Sequence, residues 1–84
     1  MSGAHDPLYI EFIARLRNVR KARKLSQRQL GEKLGKAQTF ISKVETCERR
    51  IDIIEAAKWC IALEISLEEV LPPEINKRLQ KRRG

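Results

Sequence analysis

Amides, hydroxyls and cations, rather than nucleophiles, are the side chains of this 84-residue chain best placed for chemistry. In the stretch QTFISKVE, residues 38–45, Ile41 and Val44 take one face at helical spacing and leave Gln38, Thr39, Ser42 and Lys43 on the other. A glutamine amide can both donate to and accept from adenine. Threonine offers a hydroxyl and a methyl group, and lysine reaches guanine or phosphate. Together they suit base edges in a DNA major groove. An ordinary solvated helix face has a similar composition, but it would leave unexplained the turn chemistry and the basic residues that surround this one.

Other chemistries find little support. Two cysteines, Cys47 and Cys60, and a single His5 are too few for a four-ligand zinc site, and nothing resembles a secreted disulfide framework. No nucleophile stands beside a base, and there is no glycine-rich phosphate loop, so we expect no enzyme activity, no cofactor and no small-molecule effector. Trp59 and Cys60 share helical spacing with Ala56 and Leu63 and read as core. His5 reads as a solvated residue near a frayed terminus. Cys47 falls in a basic loop, a setting that can activate a thiol, although a redox switch is the lesser reading there.

The charge agrees with the chemistry of residues 38–45. Eighteen Lys and Arg against eleven Asp and Glu give +7, with six basic residues between Arg15 and Lys24 and five between Lys77 and Arg83. A polyanion is the implied partner, and nucleic acid fits best because neutralised phosphates release condensed counterions. No basic segment leads into an apolar signal region, and no apolar run reaches the roughly 18 residues that span a bilayer. The expectation is a soluble cytoplasmic protein with reduced thiols and no membrane partner. Aromatic residues make up only 5% of the chain and Gly and Pro are few, which predicts an all-α fold, and the length predicts one small core.

The elements that must position residues 38–45 can be read from caps and periodicity. Asp6-Pro7 starts helix 1, which Leu8, Phe12, Ile13, Leu16 and Val19 carry to about Lys24. Ser26 and Gln29 have capping-box spacing ahead of helix 2, with Leu30 and Leu34 on its apolar face and Gly35 at its end. Helix 3 spans about Gln38 to Glu45, with no good side-chain cap at Lys36 or Ala37. Asp52 and Glu55 open helix 4, whose apolar face is Ile53, Ala56, Trp59, Cys60 and Leu63; Ser66 and Glu69 open helix 5. Pro72-Pro73 closes helix 5 and divides a domain of residues 6–72 from a basic tail of residues 73–84, either a marginal helix through Ile75 and Leu79 or disordered.

Helices 2 and 3, within SQRQLGEKLGKAQTFISKVE, residues 26–45, are joined by about three residues and must cross steeply. That crossing needs a small residue, here Gly31, and a sharp turn, here Gly35. Leu30, Leu34, Ile41 and Val44 lock the pair to the core.

Over about residues 12–71 the sequence resembles the phage repressors, Cro proteins and xenobiotic-response-element-type bacterial regulators. Ser26-Gln27, Ile41-Ser42 with Glu45, Arg49, and Leu63, Ile65, Ser66, Val70 and Leu71 carry the likeness. It implies a five-helix repressor-like domain that binds double-stranded DNA as a transcription regulator, with repression the expected outcome, in the cytoplasm near the nucleoid. By the same likeness Gln38, Thr39 and Lys43 would read bases, while Gln27, Ser42, Arg49 and Arg50 would hold phosphates. Arg20 and Glu45 match a pair that joins helix 1 to the end of helix 3.

Regulators of this design usually double their specificity by two-fold symmetry, so a homodimer is expected, with Leu67, Val70 and Leu71 on helix 5 as its surface. The alternative is a protein-interaction module on the same fold, coactivator-like or an antitoxin.

Four positions depart from the likeness. Gly31 stands for a usual alanine and predicts a weaker helix 2. Cys47 stands at a glycine position just after helix 3, so it is either strained or shifts the loop that carries Arg49, and Glu64 stands for a common glycine after helix 4, where the loop path can differ. Ile51 replaces a common proline.

Overall fold

The computed structural model describes residues 6–81 and contains six helices and no strand among those residues. His5 lies outside the described residues. Helix α1 is Pro7–Ala22, α2 Gln27–Leu34, α3 Gln38–Glu45, α4 Ile53–Leu63, α5 Leu67–Val70 and α6 Pro73–Lys81.

Local chemistry accounts for most boundaries. Asp6 Oδ1 accepts the Leu8 N–H at 2.8 Å with Pro7 at the first helical position, so α1 begins where its first amides find an acceptor. Ser26 Oγ accepts the Gln29 N–H at 3.0 Å and Gln29 Oε1 accepts the Ser26 N–H at 2.8 Å, a reciprocal cap for α2. Asp52 and Glu55 do the same for α4, at 2.7 and 2.9 Å. No side chain caps α3, which begins after Ala37. With only eight residues it is too short to be helical alone and relies on packing.

That packing forms one core. Phe12, Ile13 and Leu16 of α1, Leu30 of α2, Ile41 and Val44 of α3, Ala56, Trp59, Cys60 and Leu63 of α4, Val70 of α5, and Ile51 from the preceding loop are all buried together. Leu34 is only half-buried at its edge. Ile53, expected on the inner face of α4, instead points outward, as do Ile54 and Ile61; these three are 63%, 61% and 75% exposed. Asp52 caps the helix one residue before Ile53, so Ile53 occupies the exposed first turn, ahead of the buried set Ala56, Trp59, Cys60 and Leu63 that meets the core.

Pro72-Pro73 does more than terminate α5. Pro73 opens α6, because proline lacks the amide that the first turn leaves unsatisfied and already has helical φ. Asn76 Nδ2 donates to Glu68 O at 2.8 Å and Gln80 Nε2 to Glu68 Oε2 at 3.4 Å, so the sixth helix is tied back to α5.

Three non-glycine residues adopt the left-handed region, each just past a helix: Lys24 with φ 60°, Cys47 with φ 63° and Glu64 with φ 60°. Cys47 and Glu64 therefore keep the backbone path of the glycines they stand for and accept the strain of a side chain there. The absence of proline at Ile51 has a partner-based reason. The Ile51 N–H donates to the Tyr9 hydroxyl at 3.2 Å, a bond that proline has no hydrogen to make.

Gly31 has a similar explanation. A Cβ built there would lie 2.5 Å from the Lys36 carbonyl oxygen, whereas nothing lies within 4 Å of one built at Gly35. Helix α2 thus gives up alanine's propensity so that the chain can turn tightly over it into α3.

Candidate nucleic-acid interface

The turn at Gly35, itself left-handed at φ 69°, sends α3 across α2 and fixes which of its faces is free. Ile41 and Val44 are 0% and 1% exposed, so the opposite face is committed to solvent. Gln38, Thr39 and Lys43 are exposed there together, with Ser42 half-buried beside them. The structure therefore gathers the four residues singled out in the sequence on one helix face.

Arg20 and Glu45 meet across the α1–α3 boundary. Arg20 Nε and Nη2 donate to Glu45 Oε2 and Oε1 at 2.7 and 3.0 Å, and Arg20 Nη1 donates to the Leu25 carbonyl at 2.6 Å. Both side chains are buried, at 8% and 4% exposure, so a two-pronged pair with its other lone pairs and protons engaged is the arrangement that tolerates burial. Arg17 Nε lies 3.8 Å from the same carboxylate. No signal in the sequence singled out Arg17.

Gln27 is drawn into this cluster. Its Nε2 donates to Glu45 Oε1 at 3.0 Å, and its Oε1 accepts from Gln38 Nε2 at 3.2 Å. A relay thus runs from the buried carboxylate through Gln27 to the exposed amide of α3, and Gln27, expected as a phosphate contact, also braces Gln38.

The loop after α3 carries Arg49 and Arg50, each set on an aromatic ring. Arg49 Cζ lies 4.9 Å from the Phe40 centroid and 3.5 Å separates its Nη2 from Glu55 Oε2, while Arg50 Cζ lies 4.2 Å from the Tyr9 centroid. Burial pushes the Tyr9 phenol above its ordinary pKa, and the phenol oxygen accepts the Ile51 N–H.

Not all of the basic cluster on α1 is a free surface. Arg20 is internal, Arg15 pairs with Glu11 at 2.9 Å, and Arg23 Nε and Nη2 donate to the carbonyls of Leu63 and Glu64 at 2.6 and 3.1 Å, closing the end of α4. Counting charges along the sequence could not separate these structural arginines from solvated ones.

On α5, Val70 is fully buried in the core of its own chain, with Leu67 and Leu71 packed half-buried against it. Val70 is therefore removed from any surface open to a second copy. A helix of four residues turns barely once, and its single inward position was needed to close the core.

A family model described as helix-turn-helix matches residues 16–70, more than half of the chain. The protein belongs to this family, in its XRE-type, repressor- and Cro-like branch. No curated protein matches the sequence. Members of this family are sequence-specific DNA-binding transcription regulators, and the matched segment contains α2, α3 and the buried Arg20–Glu45 pair. No helix among the described residues is long and apolar enough to cross a membrane, and no group of three or more His, Cys, Asp or Glu there could hold a metal ion.

Proposed function

We propose that this helix-turn-helix protein is a repressor that reads the major groove of double-stranded DNA with α3. One observation carries the reading: Gln38, Thr39 and Lys43 stand exposed on one face of a helix whose other face is fully buried and whose end is held by a buried ion pair. A reader held this way meets base edges in a fixed orientation, so little ordering entropy is lost on contact. In this reading Gln38, Thr39 and Lys43 recognise bases, and Gln27, Ser42, Arg49 and Arg50 hold phosphates and set register.

Selection of bound duplexes from a random pool tests it. A defined consensus is expected, and Gln38→Ala should weaken cognate binding by about 1–3 kcal/mol while relaxing preference at one base pair. Equal losses on cognate and random duplexes would remove Gln38 from base readout.

The protein acts as a homodimer on a two-fold site in this proposal, with half-sites about 10 base pairs apart, in the cytoplasm at the nucleoid and without a small-molecule effector. Leu67 and Leu71 remain in the proposed interface, and Ile61 of α4, the most exposed large apolar side chain among the described residues, takes the place of Val70. Sedimentation at saturating operator should give two copies per site for the wild type. Ile61→Glu should shift it toward one. One wild-type copy at saturation rejects the dimer.

A further inference from the structure

Lys36 precedes α3 and Arg49 follows it, yet both cations lie over the same ring. Lys36 Nζ is 5.0 Å and Arg49 Cζ 4.9 Å from the Phe40 centroid. The backbone brings this about. Left-handed Cys47 reverses the chain at the end of α3, the Glu48 and Arg49 amides both donate to the Lys43 carbonyl at 2.9 and 3.1 Å, and Arg49 is thereby carried back toward the first turn of the helix. Phe40 itself is held at the core edge, its ring 6.1 Å from that of buried Trp59.

Placing two cations over one ring concentrates like charge, and the single carboxylate among the described residues that offsets it, Glu55, does so from the Arg49 side. Glu55 meets Arg49 only at 3.5 Å, while its other oxygen is engaged by the Asp52 amide at 2.9 Å. Among the described residues Lys36 has no carboxylate within ion-pair distance. A ring face attracts cations through its quadrupole but does not neutralise them. The ligand that relieves such a pair is a polyanion with closely spaced charges, and the phosphates of one DNA strand follow one another every 3.4 Å or so along the axis.

We infer that Lys36, Phe40 and Arg49 form a preorganised two-cation phosphate clamp, in which Lys36 is a phosphate contact and Phe40 a positioning residue for both cations. This inference rests on the DNA-binding reading above. The ring limits the space each flexible side chain searches, so the entropy of ordering two long side chains is met in the folded protein rather than at the DNA.

Fluorescence anisotropy over a range of salt concentrations tests it, with two labelled duplexes of equal length, one carrying the pool-selected site and one of random sequence. Lys36→Ala should lower the slope of log affinity against log salt by about 0.9 on both duplexes and leave base preference unchanged. Phe40→Leu should weaken both duplexes about fivefold, and Phe40→Tyr, which keeps a ring, should restore binding. In a Lys36→Ala/Arg49→Ala background Phe40→Leu should cost nothing further, whereas a purely structural Phe40 would cost the same in either background. Circular dichroism of each variant sets a temperature at which all are folded, and Lys36, being exposed, keeps the slope measurement available whatever Phe40→Leu does to the core. A wild-type slope in Lys36→Ala, or an undiminished Phe40→Leu penalty without the two cations, overturns the clamp alone. Wild-type protein that binds neither duplex overturns the DNA-binding reading instead.

Discussion

Replacing Glu45 by Leu should destabilise the protein more than replacing both Glu45 and Arg20. In the wild type the carboxylate accepts two guanidinium bonds at 2.7 and 3.0 Å and one from Gln27 at 3.0 Å, with only 4% of the side chain exposed. Glu45→Leu leaves Arg20 charged and 8% exposed, with the Leu25 carbonyl at 2.6 Å as its one remaining partner of those described. An uncompensated buried charge costs about 3–5 kcal/mol. Arg20→Met is the milder loss, about 3 kcal/mol, because Gln27 stays bonded to the carboxylate and Arg17 at 3.8 Å can move in. Arg20→Met/Glu45→Leu removes both charges and fills the space with apolar atoms, so it should cost less than either single change. Against a total stability of roughly 5–10 kcal/mol for a chain of this size, the differences are large. Urea unfolding followed by fluorescence of Trp59, 2% exposed and so sensitive to loss of the core, measures all four proteins. Additive losses, or single losses below about 1 kcal/mol as for a surface pair, would refute the claim that burial sets this energy.

Glu64→Gly should stabilise by about 1 kcal/mol by relieving the left-handed strain at an exposed site, and Cys47→Gly by less, since Cys47 packs against the core; thermal melts rank the two. Gly31→Ala should destabilise by about 1–2 kcal/mol although alanine is the better helix former, because its Cβ would meet the Lys36 carbonyl oxygen at 2.5 Å; a raised melting temperature would contradict this. The Glu69 carboxyl titrates below its ordinary range because the Ser66 amide and then the Ser66 hydroxyl donate to it, at 2.9 and 3.1 Å. Its contribution to holding α5 is therefore complete above the ordinary glutamate pKa and lost as pH falls through the lowered folded value. Carboxyl-detected NMR titration should show the low midpoint, and Glu69→Gln should remove that part of the acid dependence.

Helices α1 to α5 were legible in the sequence because each has a local signature. Asp6-Pro7, Ser26/Gln29 and Asp52/Glu55 act within one turn, so spacing alone reveals them, and α3 follows from the alternation of Ile41 and Val44 with polar neighbours. Pro72-Pro73 carries two opposite signals, helix stop and helix start, and only the tertiary bonds of Asn76 and Gln80 to Glu68 decide for α6. Val70 and Ile53 were misplaced for a related reason. Both are apolar residues of short or newly started helices, where the period is too brief to say which side meets the core. The exposed residues of α3 were readable from its face, but the rings beneath Arg49 and Arg50, the clasp of Arg23 on the end of α4 and the approach of Arg17 to Glu45 join residues distant in sequence, with no local pattern to mark them.

The relay from Glu45 through Gln27 to Gln38 connects stability to the chemistry available at the surface. An amide has one carbonyl and two N–H groups. In Gln38 one N–H is given to Gln27 Oε1 at 3.2 Å, which leaves the carbonyl and the second N–H, the donor–acceptor set that a bidentate contact with adenine requires. Gln27 can hold that orientation because its own Nε2 is fixed on a carboxylate that cannot move without exposing the buried pair. The orientation of the α3 amide is thus set by residues that make no use of base identity. Gln38, Thr39 and Lys43 are exposed and can change with little effect on the core, so the frame and the chemistry of the face it carries are physically separable. Glu45 is the residue where they meet: its loss should both unfold the protein more readily and release the amide of Gln38.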